Sequence, residues 1–130
     1  MPNNRDPVWI TRQTAMAVHG MQLAEHGGLP GLRDIGLLEA ALGRPQQILH
    51  YEPEASLTKL ASAYICGLIR NHPFLDGNKR TGFVLGAIFL GRNGSKLRSP
   101  QPETANVILE VAAGTWTEDQ LTNWLGRWTG

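Results

Sequence analysis

The chain has 130 residues, about the length of one ordinary domain, so we expect residues 1–130 to form a single domain around one hydrophobic core. Its 12 Lys and Arg against 11 Asp and Glu leave a formal net charge of +1, which argues against the strongly basic surface of a non-specific nucleic-acid binder. The single cysteine, Cys66, excludes an intramolecular disulfide and a multi-cysteine zinc site, and it is typical of a protein kept in the reducing cytoplasm.

Apolar periodicity and end signals predict two helices in the first third of the chain. Thr11 is a suitable N-cap for a helix over residues 12–25, which a His-Gly-Gly sequence ends. Asp34 is a suitable N-cap for a short helix over residues 35–42, which a Gly-Arg-Pro sequence ends. Residues 46–54 lack a helical period and lie between two prolines, so we predict an extended or hairpin-like segment there.

The middle of the chain contains two strongly apolar helical patterns separated by a polar turn. The third helix begins at Pro53 or Ser56, carries a broad apolar stripe, and ends near Asn71 because a proline follows. Residues 72–77 form a turn by composition. Asn78 is a suitable N-cap for a fourth helix, which ends at a Gly-Arg-Asn-Gly sequence.

Two further helices are predicted near the carboxyl end. Pro102 is suited to the first turn of a fifth helix that ends before Gly114. Thr117 and Gln120 have capping-box spacing, which opens a sixth helix with an apolar face. No stretch alternates as a half-buried strand would, so the predicted fold class is all-α.

Neither a targeting signal nor a membrane span is predicted. Residues 1–7 contain no apolar stretch of the kind that a secretory signal needs. The longest apolar run, within residues 82–91, is far shorter than the roughly 20 residues required to cross a bilayer. We therefore expect a protein that does not associate with membranes.

Ionisable side chains are concentrated between the third and fourth predicted helices. Histidine is the side chain best suited to proton abstraction near neutral pH, and His72 lies in this stretch. Asp76 offers hard oxygen ligands of the kind that a phosphate-bound magnesium ion prefers. The following turn enters a helix, whose first N–H groups and dipole attract phosphates, and the residues placed there are Gly77, Asn78, Lys79 and Arg80.

Local structure offers a second interpretation of the same residues, namely an ordinary turn, a helix cap and solvated cations. The chain has no Walker-type phosphate loop. His19, His26 and His50 lack a reliable metal-ligand spacing, and we interpret them as surface or core-edge histidines. Cys66 lies on the apolar third helix, which indicates a packed side chain and not a nucleophile.

Residues 72–81 read His-Pro-Phe-Leu-Asp-Gly-Asn-Lys-Arg-Thr. This sequence closely resembles the signature of the Fic/Doc (Fido) family, His-Pro-Phe-x-Asp/Glu-Gly-Asn-x-Arg. Residues 28–45 resemble the segment upstream of the motif in the death-on-curing (Doc) branch. The resemblance covers about Thr11 to Gly94, and the later helices contain no residues that we can match.

The resemblance implies a compact Fic/Doc-type helical bundle with a helix-loop-helix active site. His72 is then the base that deprotonates a hydroxyl on a target protein, and Asp76 orients Mg²⁺. Phe74 is a buried anchor of the loop. The implied ATP-phosphate-binding residues are Gly77, Asn78, Lys79 and Arg80.

Residues 46–51 fall where family members have a short extended flap, which aligns a target peptide by strand-like pairing. The resemblance therefore makes Ile48, Leu49 and Tyr51 the candidate target-flap residues.

Two departures from the commoner adenylylating pattern favour the Doc branch: Lys79 replaces a Gly, and Phe83 replaces a second Arg. The resemblance then implies a kinase that transfers the γ-phosphate of ATP to a translation elongation factor of the Tu type and thereby arrests translation. The alternatives are a protein adenylyltransferase and an inactive Fido module that only binds a partner.

Self-inhibiting family members carry a Ser/Thr-x-x-x-Glu-Gly/Asn sequence, which this chain lacks, since Glu103 is followed by Thr104. The resemblance therefore implies a separate antitoxin, encoded with the toxin by a bacterium, phage or plasmid. A disordered antitoxin segment would fold as a helix into a groove. Trp116, Trp124 and Trp128 or the first helix are candidates for that groove, with core packing as the alternative for the tryptophans.

Overall fold

The computed structural model describes residues 6–130; residues 1–5, part of the segment in which we predict no secretory signal, lie outside the described residues. Six helices follow in order: α1 (Arg12–His26), α2 (Ile35–Tyr51), α3 (Leu57–Asn71), α4 (Asn78–Arg92), α5 (Gln101–Ala113) and α6 (Glu118–Arg127). The extended pairing found in the described residues is two isolated bridges, which confirms the predicted all-α class. No helix in this part of the chain has the length and apolar character needed to cross a membrane.

The centre of the fold is α3, because every residue from 60 to 68 is buried. Helices α2, α4, α5 and α6 all pack against it. Burial raises the pKa of the Cys66 thiol to about 11, so this cysteine is a packed core residue, as predicted, and remains protonated at neutral pH.

Helices α3 and α4 approach closely because α4 presents two glycines, one turn apart, to α3. A Cβ atom added to Gly82 would lie 3.0 Å from Leu68 Cβ, and one added to Gly86 would lie 2.7 Å from Ile65 Cγ1. Such distances leave no room for a side chain. The glycines therefore set the separation of the two helices that flank the polar turn.

Four predicted helix starts are confirmed by their caps. The side chains of Thr11, Asp34, Ser56 and Thr117 each accept a hydrogen bond from a backbone N–H in the first turn of the helix that follows. The last of them forms the complete capping box with Gln120.

The predicted extended segment over residues 46–54 is wrong for residues 46–51, which continue α2 as a helix. Pro45 lies inside this helix and removes one backbone hydrogen bond, a cost of about 3 kcal/mol. Packing compensates because apolar residues recur every three or four positions through the proline. These are the buried Leu38, Ala41, Leu42 and Pro45, followed by the half-buried Ile48 and Leu49.

The last two helices cover one side of α3. The tryptophans considered for an antitoxin groove lie on or next to α6. Trp124 is buried, and its Nε1 donates a hydrogen bond to Glu103 Oε2 at 2.5 Å. Trp116 and Trp128 are partly buried against the same core. Core packing, which is the alternative to an antitoxin groove, therefore accounts for these side chains.

The close α3–α4 contact leads to a paired prediction about stability. Gly86→Ala places a methyl group against Ile65, whereas Gly91→Ala, on the same helix, meets no atom within 4 Å. Both changes gain the same helix propensity, so this gain cancels between them. Gly86→Ala should be less stable than Gly91→Ala by about 1–3 kcal/mol in urea unfolding. Equal stabilities would show that α3 and α4 are not closely packed.

Candidate active site

The polar turn begins at His72, directly after the buried helix α3. His72 has φ 51° and ψ 55°, the left-handed conformation, and it is the one non-glycine residue with positive φ in the described part of the chain. This conformation costs about 1–2 kcal/mol for a residue with a Cβ atom. The side chain of His72 is exposed. The fold therefore holds a strained, accessible histidine at the end of its central helix.

The amide of Asn78 organises the turn from inside. Its Oδ1 accepts from the Phe74 N–H at 3.0 Å, and its Nδ2 donates to the Phe74 carbonyl at 3.0 Å. Both residues are buried, so these hydrogen bonds satisfy backbone groups that water cannot reach. The expected role of Phe74 as a buried anchor fits its complete burial.

The second Nδ2 hydrogen of Asn78 is directed at His72 Nδ1, 3.1 Å away. Because the Phe74 backbone orients the Asn78 amide, Nδ1 of His72 must be the acceptor. A neutral His72 ring therefore carries its proton on Nε2 and its free lone pair on Nδ1.

The expected capping role of Asn78 is wrong, because its side chain is committed to Phe74 and His72. Gly77, with φ 78°, is the N-cap instead, and α4 has no side-chain cap. The first N–H groups of α4 thus lack a side-chain acceptor among residues 6–130, and they lie at the positive end of the helix dipole. Lys79 and Arg80 are exposed in this first turn, which makes it a site of positive charge.

Asp76 lies at the same end of α4, with its carboxylate exposed. Its Oδ2 accepts from the Leu29 N–H at 3.2 Å and its Oδ1 from the Gly77 N–H at 2.9 Å. These hydrogen bonds, with a smaller contribution from the charge of Arg80, lower the pKa of Asp76. The carboxylate is therefore ionised at neutral pH.

Asp76 alone is compatible with a magnesium ion. The described residues contain no cluster of three or more His, Cys, Asp or Glu side chains able to hold a metal. Mg²⁺ is commonly held by one or two carboxylates, with phosphates and water as its other ligands. Each oxygen of Asp76 retains a lone pair beyond its one hydrogen bond to the backbone, so this donor set fits a metal that arrives with a nucleotide.

A segment from far upstream, residues 28–33, lies along the turn; we call it the bracing segment. Leu75 N–H donates to Gly31 O at 3.0 Å, Arg33 N–H donates to Pro73 O at 2.7 Å, and Leu32 bridges Phe74. Gly28 is needed for close approach, because a Cβ atom there would lie 2.8 Å from Asp76 Oδ2. Residues 28–33 belong to the stretch that resembles the Doc branch in sequence. Their hydrogen bonds to the turn are seen only in the structure.

Of the two interpretations of His19, the surface position is wrong, whereas the core-edge position fits the structure. His19 is 5% exposed, and its ring stacks on that of Phe74 with centroids 3.7 Å apart. Its Nε2 lies 2.8 Å from the Asp76 carbonyl and must donate to it. No pattern near His19 signals this role, because its partners lie more than fifty residues away.

The structure brings together His72, Asp76, Gly77, Asn78, Lys79 and Arg80, but it places the proposed flap residues in a helix. Ile48 and Leu49 pack against the core, and Tyr51 is 81% exposed at the end of α2. Their backbone is committed to helical hydrogen bonding, so the expected strand-like pairing at residues 46–51 is wrong. The segment that pairs with the turn is the bracing segment.

Comparison with known proteins agrees with this arrangement. A sequence model of the Fic/DOC family matches residues 9–90, which include both the bracing segment and the turn. The chain is 33% identical over 121 residues to "Protein kinase doc" of Escherichia phage P1, covering 93% of this chain and 95% of that protein. It is 42% identical over 72 residues to "Toxin Doc" of Mycolicibacterium smegmatis, covering 55% of each.

The buried histidine under the turn leads to a prediction. His19→Ala removes the stack on Phe74 and the donor to the Asp76 carbonyl, so it should lower the free energy of unfolding by about 2–4 kcal/mol. His26→Ala is the matched control, because His26 is on the same helix and its side chain is 39% exposed. The control should change stability by less than about 0.5 kcal/mol in urea unfolding. Similar losses in both variants would contradict the assigned role.

Proposed function

This chain is a Doc-type member of the Fic/Doc family, and we propose that it is a toxin that transfers the γ-phosphate of ATP to a hydroxyl of a target protein. The proposed setting is the cytoplasm of a bacterial host, with the gene carried by the bacterium, a phage or a plasmid. The proposed target is a translation elongation factor of the Tu type, whose modification arrests translation.

One observation carries the proposal: His72 lies beside the uncapped first turn of α4, and the Asn78 amide contacts it. Phosphoryl transfer needs an acceptor hydroxyl held near a base and a phosphate held by positive charge. His72 is the base beside which the hydroxyl would be held. The first turn of α4, with Lys79 and Arg80, provides the positive charge for the phosphate.

The proposed proton acceptor is Nδ1 of His72, because the Asn78 amide favours the tautomer with its lone pair there. The target hydroxyl replaces the amide hydrogen at Nδ1 and transfers its proton to the ring. The hydroxyl oxygen forms a bond to the γ-phosphorus, and the bond from that phosphorus to the β-bridging oxygen breaks. The products are a phosphorylated target and ADP.

The phosphates of ATP are proposed to bind at the first turn of α4. The N–H groups there donate to phosphate oxygens, and the side chains of Lys79 and Arg80 balance their charge. Asp76 is the proposed ligand of Mg²⁺, which, when bound, neutralises charge developing between the β- and γ-phosphates. Gly77 allows the left-handed entry into α4 that directs these groups outward.

Two residues favour phosphate transfer over adenylate transfer. Phe83, where the adenylylating pattern has an Arg, is partly buried against the core and offers no charge to a phosphate. Lys79, where that pattern has Gly, is exposed in the first turn and fills space there. These replacements support a nucleotide orientation that presents the γ-phosphate to the acceptor.

A cognate antitoxin is the second proposed partner. The chain lacks the Ser/Thr-x-x-x-Glu-Gly/Asn sequence of self-inhibiting members, which favours inhibition by a separate protein. Trp124 lies in the core and Trp116 and Trp128 pack against it, which leaves the first helix as the candidate docking element from the sequence. Its Met16 and Met21 are 43% and 66% exposed.

The test is a labelling assay with purified bacterial elongation factor Tu, Mg²⁺, and ATP labelled at either the γ- or the α-phosphate. Only the γ-label should appear on the target. His72→Ala should reduce labelling by at least about 100-fold, the usual contribution of a general base, with unchanged far-UV circular dichroism. His50→Ala, which changes another exposed histidine, should retain full activity.

Other outcomes separate the alternatives. Transfer of the α-label would identify an adenylyltransferase. Absence of both labels, together with no effect of Asp76→Asn or Lys79→Met on growth arrest, would indicate a binding module. Mass spectrometry of cellular proteins after brief expression would show whether another target carries the added group.

A further inference from the structure

Arg33, in the bracing segment, makes two side-chain hydrogen bonds to the end of α3. Its Nε donates to the His72 carbonyl at 2.6 Å, and its Nη2 donates to the Asn71 carbonyl at 2.8 Å. These are neighbouring donors of one planar guanidinium group, and they bind two consecutive carbonyl oxygens. The Arg33 backbone N–H also donates to the next carbonyl, that of Pro73, at 2.7 Å. One residue thus binds three successive carbonyls around the proposed base.

These carbonyls need an external partner because they lie at the end of a helix. The last carbonyls of an α-helix have no intrahelical donor, and basic side chains can supply one. Here the need is greater, since His72 has left-handed backbone angles, which cost energy for a residue with a Cβ atom. By binding the carbonyls on both sides of the His72 nitrogen and α-carbon, Arg33 fixes the two peptide planes that set the direction of the side chain.

Arg33 has no role in the core and forms no ion pair with a carboxylate among the described residues. It is exposed, so its removal leaves no large cavity. Three other arginines among the described residues do form ion pairs, each with a glutamate: Arg12, Arg44 and Arg70. Arg33 differs from them in having backbone carbonyls as its partners.

We propose that Arg33 is a positioning residue for His72: its guanidinium fork holds the backbone of His72 so that Nδ1 of the ring faces the Asn78 amide and, during the reaction, the acceptor hydroxyl that takes the place of that amide. The catalytic consequence rests on the proposed phosphotransferase function. A misplacement of about 1 Å at a reacting group costs on the order of 100-fold in rate. Loss of the Arg33 contacts can therefore have a measurable effect on the rate, even if His72 moves only slightly.

The kinetic test compares Arg33→Lys, which keeps the charge but loses the fork, with Arg33→Ala. We expect both to lower kcat for γ-phosphate transfer to elongation factor Tu about 10- to 100-fold, while KM for ATP changes less than about threefold. Guanidinium ion, added well below denaturing concentrations, should partly restore the kcat of Arg33→Ala. Arg12→Ala, which breaks an exposed contact to Glu39, is the control and should retain the wild-type kcat.

A wild-type kcat in Arg33→Lys would overturn the proposal, because it would show that the guanidinium fork is not needed. A raised KM for ATP with unchanged kcat in Arg33→Ala would also overturn it, because that result would assign Arg33 to attraction of the nucleotide. Circular dichroism and thermal melting establish that each variant is folded. Where Arg33→Ala is unfolded, Arg33→Lys decides the question.

A second arm does not depend on the reaction. Long-range ¹H–¹⁵N spectra at a pH where the ring is neutral should show His72 in one tautomer, protonated at Nε2, in the wild type and in Arg12→Ala. Arg33→Lys should give averaged tautomer signals, whereas unchanged signals would overturn the proposal. If the wild type labels no target, the proposed function fails, and these spectra alone decide whether Arg33 positions His72.

Discussion

The close packing of α3 against α4 is the constraint on which the candidate site depends. Residues 60–68 of α3 are all buried, and Gly82 and Gly86 bring α4 against this helix at a distance that admits no side chain. The end of α3 and the start of α4 are therefore fixed relative to each other, and only residues 72–77 connect them. A short turn between two fixed ends has few available conformations, so His72 and the positive end of α4 are held close together without a ligand.

Within the turn, buried and exposed residues have different tasks. Phe74 and Asn78 face the interior, where an aromatic stack and a fully bonded amide hold the loop. His72, Asp76 and Arg80 are exposed, and they are the groups to which we assign the proposed chemistry. This division explains why the motif mixes an apolar ring and an amide with ionisable groups: Phe74 and Asn78 hold the loop from inside, and the ionisable groups of the same loop remain exposed.

The sequence predicts the helix ends well where the interactions that form them are between residues close together in the chain. The caps at Thr11 and Thr117 satisfy groups within one turn, so they can be read directly from the sequence. The predicted second helix is too short because Pro45 is a strong local signal for a helix end. The packing that outweighs this signal comes from another helix. His19 and the bracing segment could not be predicted, since both bind residues far along the chain and hydrogen bonds of that kind leave no periodic pattern.

Asp76 shows how stability and chemistry are combined in one carboxylate. Backbone N–H groups from the bracing segment and from Gly77 stabilise its charged form, which lowers its pKa in the folded state. A carboxylate with a lowered pKa adds stability above its unfolded-state pKa and loses that contribution as pH falls through the folded-state value. The same charge that holds the bracing segment to the turn is the one suited to a metal ion, so protonation of Asp76 weakens both the support of the site and its proposed metal ligand.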